Sequence, residues 1–172
     1  MNLSHPLVAA ALRAHADAAL NNRPVSSTVF ADAAKGSGNF GQSCIAALAT
    51  LGGEHAPITE ARRLLYSPRR SVSEMLENSE RIPGWGNAFF RYRRDPAWDE
   101  VAALLQKEHP QHAIRIDTIT EELRLCGKHL HPNAAAYTAA AAHIIGMPWG
   151  AETALLLLGR VPAWVEIWSQ RA

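Results

Sequence analysis

Arg81-Ile82-Pro83-Gly84-Trp85-Gly86-Asn87 has the residue types that let a ligand come close to the backbone. Two glycines flank an aromatic residue directly after a proline. That order predicts a tight turn with exposed backbone amides and little side-chain bulk. Three other groups carry chemistry. Arg91, Arg93 and Arg94, with Arg69 and Arg70 upstream, either meet a phosphate or form a solvated loop. His109-x-x-His112 has metal-ligand spacing, but no cysteine or carboxylate set completes a site, so no metal is expected. Cys44 and Cys126 are the only cysteines and sit among apolar residues, where buried reduced thiols are expected.

Helices must position these residues. The 172 residues are 48% hydrophobic and 19% charged, enough for a core of closely packed helices in one domain, or one plus a small subdomain. A net charge of +1 makes no case for a nucleic-acid partner. Met1-Asn2-Leu3 shows no charged leader, and no apolar run reaches spanning length. A cytoplasmic protein without a membrane partner is expected.

Ser4 and Pro6 suit a helix start, with helix from Leu7 to Leu20. Asn21-Asn22-Arg23-Pro24 ends it, and a second helix runs from Ser26-Ser27 to about Ala34. After the Gly36–Asn39 turn, Phe40 to Leu51 reads as helix with Ile45, Leu48 and Leu51 inward, stopped at Gly52-Gly53. Thr59 to Leu65 is a short helix, and Ser71-Val72-Ser73-Glu74 fits a capping box. Asp95-Pro96 opens a helix to His109. The next carries Ile114, Ile116, Ile119 and Leu123 and is capped by Gly127. Pro132 opens an Ala-rich helix to Ile145. Trp149–Leu158 and Val161–Ser169 follow, with Pro162 dividing or kinking them. Glu152 and Glu166 are expected to face solvent. With no convincing strand, the fold class is all-α.

Ile82-Pro83-Gly84-Trp85-Gly86, Arg94-Asp95-Pro96, Lys128-His129-Leu130-His131-Pro132-Asn133, Tyr137 and Gly146-Met147-Pro148 occur in this order. Together they resemble the C-terminal half of the citrate synthase superfamily, which includes methylcitrate synthase and citryl-CoA lyase. Leu158 to Trp168 resembles the family's last core helix, and Gly36 to Leu51 its His-Gly-Gly turn and helix. The resemblance runs from about Gly36 to the C-terminus. It implies a citrate synthase-like small domain at 40–131, flanked by large-domain helices at 1–39 and 132–172. Against the family's usual length, the chain is less than half.

The family joins an acyl-CoA to an oxo acid, or reverses that step. The resemblance puts Phe40 at the enol-stabilising histidine, Asn87 at the second histidine, Ala135 at the base aspartate and Ala97 at one substrate arginine. Asn87 can donate a hydrogen bond but cannot transfer a proton near pH 7. Arg160 keeps a substrate-binding match as a carboxylate clamp. Pro83, Gly84, Trp85, Gly86 and Lys128 match the CoA side, and Trp85 either stacks on a base or holds the turn as a core aromatic. His129, His131 and His143 either enter the cleft or are surface and capping residues.

The expected protein is therefore a truncated, catalytically degenerate relative. It holds no tight cofactor and binds CoA or acetyl-CoA, with a di- or tricarboxylate, in a regulatory role. It forms a homodimer or joins a full-length relative. The alternative is an active condensing enzyme or lyase in which His131 or His143 works with Asn87.

Overall fold

The computed structural model describes residues 4–21, 25–51 and 57–170. Among these it contains nine α-helices and no strand, as expected for an all-α chain. Local signals set most helix ends. α1 (Pro6–Asn21) starts just after His5: the His5 carbonyl accepts from Val8 and Ala9, and its Nδ1 accepts from Leu7. α2 (Val25–Ser37) runs on past Ala34. α3 (Phe40–Leu48) is capped by the Asn39 side chain, which accepts from the Gln42 amide. The stop expected at Gly52-Gly53 lies outside the described residues.

α4 (Ile58–Tyr66) and α5 (Val72–Glu77) follow, and both bonds of the Ser71–Glu74 capping box are made. Asp95 caps a 3-10 turn, Pro96–Trp98, that leads into α6 (Asp99–Glu108). α7 (Pro110–Leu125) ends at Gly127, whose φ of +73° places Lys128 N on the Leu123 carbonyl. α8 (Ala134–Ile144) is capped by Asn133, and α9 spans Thr153–Ser169 without a break. Pro162 was expected to divide or kink α9. It lies on the outer face, and the carbonyl it leaves unbonded belongs to Leu158, a residue 42% exposed that water can reach.

α8 is the hub. Ala135 to Ala142 are all buried, so small side chains let α1, α4 and α9 approach its backbone. α1 and α9 pack equally closely at Gly159, where an added Cβ would lie 2.5 Å from the His15 Cβ and 2.8 Å from the Leu12 carbonyl oxygen. A second cluster joins Phe30, Ala34, Ala47 and Trp164, with Phe30 stacked on Trp164 at 5.3 Å.

Five side chains sit differently from expectation. Ile45 and Leu48 point outward, because α3 turns its small Ser43–Ala47 stripe inward. Both stripes of α3 are compatible with burial, so periodicity alone cannot choose between them. Ile114 and Cys126 are likewise exposed on α7 and at its C-cap. Glu152, expected at the surface, is fully buried, because Arg62 of α4 reaches it at 2.7 Å.

Candidate ligand-binding cleft

The Pro83–Asn87 turn is built by two left-handed glycines. Gly84 (φ +91°) lies so close to α4 and α8 that a Cβ would meet those of Ala61 at 3.0 Å and Ala136 at 3.1 Å. Gly86 (φ +89°) brings its amide 2.8 Å from the His131 carbonyl. Asn133 ties the turn to α8: its backbone amide donates to the Gly84 carbonyl, its Nδ2 donates to the Gly86 carbonyl at 2.7 Å, and its Oδ1 caps the helix through Ala135 N.

This internal bonding corrects the expectation of open amides. Trp85 N donates to the Ile82 carbonyl and Gly86 N to His131. Among the described residues, the amides of Gly84 and Asn87 donate to no backbone carbonyl, and both residues line the cavity beside the turn.

Trp85 is buried, and its Nε1 donates to Thr120 Oγ1 at 2.9 Å. It thus holds the turn against α7, the core role that the sequence left open beside stacking.

A cavity of about 1270 Å³ opens beside this turn. Pro83 to Asn87, Lys128, Ala135 and Arg160 all line it, so residues far apart in sequence converge. Asn87 Oδ1 accepts from Phe89 N at 2.9 Å, which leaves its amide hydrogens for a ligand.

Arg160 decides the electrostatics. It is 7% exposed and donates to the Ser26 hydroxyl, with its Nε unpartnered. No carboxylate pairs with it among the described residues. Burial alone pulls its pKa down to about 10.

The neighbouring His15 is buried too. Burial, and then the charge of Arg160, push its pKa well below the usual value. Thr138 gives its hydroxyl proton to the Ala134 carbonyl, so the 2.8 Å contact to His15 Nε2 requires that nitrogen to be the donor. A neutral histidine and an unpaired guanidinium therefore lie side by side.

The remaining candidates lie elsewhere. His131 contributes its carbonyl to Gly86, and its side chain does not line the cavity. His143 stacks on Tyr66 at 3.6 Å, beside His112, also away from the cavity. His129 is exposed. Phe40 packs edge-on to Phe30 and Trp168 in the second cluster. Ala97 packs against the main core.

Sequence reasoning missed Glu80, which also lines the cavity, and gave Arg81, the first residue of the stretch it singled out, no role of its own. The place of Glu80 directly before that stretch was the available signal.

An all-helical fold with a glycine-built turn clamped to an Asn-capped helix defines the architecture of the citrate synthase group. The sequence matches the profile described as citrate synthase, C-terminal domain, over residues 5–171, and the chain belongs to that family.

Among solved structures it is similar to citryl-CoA lyase from Hydrogenobacter thermophilus. The TM-score is 0.79 at 24% identity, covering 96% of this chain and 68% of that one. It is also similar to citrate synthase from Thermotoga maritima MSB8. There the TM-score is 0.73 at 20% identity, covering 84% of this chain and 43% of that one. At these identities the likeness establishes the fold. Nothing among curated proteins matches the sequence significantly.

Proposed function

We propose that this chain binds a CoA thioester together with a di- or tricarboxylate in the cavity beside Pro83–Asn87, and that it does not interconvert them. The observation that carries this is Arg160. A buried cation without a carboxylate costs several kcal/mol, roughly, unless an anion compensates it. The cavity it lines is the one that holds the Gly84 and Asn87 amides and Lys128.

The catalytic half of the reading rests on what lines the cavity. Its ionisable side chains among the described residues are Glu80, Arg81, Lys128 and Arg160, with neither histidine nor aspartate. Glu80, the one carboxylate, is held by both terminal nitrogens of Arg70. A committed carboxylate is a poor base for removing an α-proton. Asn87 can polarise a carbonyl and no more.

A second copy, or a longer relative, fits the outer face of α9. Leu158, Val161 and Val165 recur there at helical spacing and are 41–51% exposed. No helix among the described residues is long and apolar enough to cross a membrane.

The test is calorimetric titration with acetyl-CoA and with citrate or oxaloacetate, followed by an assay of thioester turnover. Micromolar binding without turnover is expected. Condensation or cleavage at an ordinary enzymatic rate would sink the non-catalytic reading. Absence of binding at millimolar ligand would sink the cavity assignment.

A further inference from the structure

Four histidines from three separate stretches of chain form a continuous row. His5, at the start of α1, stacks on His109 at 5.7 Å. His109, at the α6–α7 junction, lies 6.2 Å from His112 of α7, and His112 lies 5.7 Å from His143 in the last turn of α8. Tyr66 of α4 closes the row. Its ring lies flat on His143 at 3.6 Å, and its hydroxyl meets His112 Nδ1 at 2.8 Å. None of these residues lines the ligand cavity.

The row has no answer for positive charge. Arg115 of α7 faces it over the Tyr66 ring and donates to the Leu65 carbonyl. Arg62 of α4 faces it too and is taken by Glu152. Glu108, next to His109, pairs with Lys107. No histidine of the row forms an ion pair among the described residues. His143 Nδ1 is buried without a hydrogen-bond partner, so nothing receives a proton placed there. Burial, then the neighbouring charges, depress the pKa of His112 and His143. The packed row therefore favours both rings neutral, and charging them forces like charges together.

α7 carries this effect to the ligand turn. Thr120 lies about two turns beyond His112 on the same helix. Its hydroxyl proton goes to the Ile116 carbonyl, so its oxygen accepts from Trp85 Nε1 at 2.9 Å. A close-packed helix transmits strain along its length, so a shift of its first turn reaches Thr120.

We propose that this histidine row is a proton-operated switch on the Pro83–Asn87 turn. While His112 and His143 are neutral, α7 stays on α4 and α8, and Thr120 holds Trp85. As pH falls below about 6.5, the ordinary histidine value, a state with the row parted takes up protons first and is favoured. The start of α7 then leaves Tyr66 and His143, the Trp85–Thr120 bond opens, and the turn loses its support. Linkage gives the converse: a ligand that binds the held turn drives protons off the row. The ligand half rests on the function proposed above; the state of Trp85 does not.

Hydrogen exchange of the Trp85 indole N–H, followed by NMR, tests the switch. Trp85→Phe assigns the resonance. The wild type is compared with the His112→Gln/His143→Phe double variant, in which Gln keeps an acceptor for Tyr66 and Phe keeps the stacking. His131→Gln is the control, because the His131 backbone bonds to the turn. From about pH 7 to about pH 5.5, the wild-type indole should lose protection by about tenfold or more, corrected for intrinsic exchange, while the buried amides of α8 stay protected. His131→Gln should follow the wild type, and the double variant should hold its protection. In calorimetry, acetyl-CoA should weaken over that range by about tenfold more for the wild type than for the double variant, which reports the ligand's own titration.

The inference is overturned if the double variant loses protection as the wild type does, or if His131→Gln abolishes the loss. It is also overturned if Trp85 and the α8 amides lose protection together, or if bound acetyl-CoA weakens equally in both proteins. A loss of protection that the double variant abolishes, with no acetyl-CoA bound at either pH, supports the switch and sinks the binding function instead. Should the double variant fail to fold, His143→Phe alone decides on the same criteria.

Discussion

Two buried arginines, Arg62 and Arg160, occupy similar depths and have opposite surroundings. Arg62 is 3% exposed and lies at the junction of α4 with the loop before α9. Its NH1 meets Glu152 at 2.7 Å, its NH2 meets the Met147 carbonyl at 2.9 Å, and its face lies over Trp149. Thr59 donates to the other Glu152 oxygen at 2.9 Å. Burial pushes the Glu152 carboxyl up, but the Arg62 and Thr59 hydrogen bonds outweigh it and hold it below the ordinary range.

Arg160, at 7% exposure, has a neutral hydroxyl and a neutral histidine for neighbours. The contrast separates two uses of one residue type. A guanidinium that meets a carboxylate inside the protein serves the fold, although the Arg62 Nε, like that of Arg160, has no hydrogen-bond partner. Arg160 meets no carboxylate among the described residues and lines the cavity, which is why the proposed function rests on it.

The comparison breaks most visibly at Glu152. Glu152→Ala strands the Arg62 charge in the core, and urea denaturation should record a loss of about 3–5 kcal/mol. Arg160→Met should do the reverse. It removes an uncompensated charge, so the denaturation midpoint should hold or rise, while calorimetry should find citrate binding weakened by about tenfold or more. A large stability loss in Arg160→Met would show that this cation, too, serves the fold.

A third histidine site sharpens the pattern. Tyr66 OH lies 2.8 Å from His112 Nδ1, and its ring stacks on His143. Burial first, then neighbouring cations, lower the pKa of both histidines. Beside burial, the neighbours that lower them are His143, His109 and Arg115 around His112, and Arg62 and Arg115 around His143.

The unfolded chain therefore takes up protons first, near the ordinary value of about 6.5. Stability should be full above that pH and decline as pH falls from there toward the lowered folded values. His143→Phe should flatten the decline in thermal melts between about pH 5 and 7.

The smallest effect is expected at Ser79, which holds φ at +57° at the end of α5. Its amide bonds to the Leu76 carbonyl and that of Glu80 to Met75. Ser79→Gly should stabilise by about 0.5–1 kcal/mol in the same melts.

What could be read in advance follows the range of the forces. Each helix boundary is decided within about five residues, so capping signals reveal it. The Ser71–Glu74 box and the Gly127 stop were legible for this reason, whereas the Asn133 cap appeared only in the structure. The turn at Pro83–Gly86 was legible too, since only glycine accepts its left-handed backbone cheaply.

Which face of a helix is buried depends on a partner far along the chain. Ile45 and Leu48 lost the core to Ser43 and Ala47 because α2 packs on the smaller stripe.

By itself, then, the sequence determined the capped helix ends, the glycine turn and the all-α class, all set by neighbours along the chain, while α2 and α3 ended elsewhere than expected and α9 ran unbroken. The tertiary structure alone decided that Glu152 is buried opposite Arg62, 90 positions away, while Arg160 at similar depth meets no such carboxylate among the described residues. It also turned Trp85 onto Thr120 and took His143 out of the cavity. Charge compensation in a core is a matter of a few ångströms in space, and distance along the chain says nothing about it.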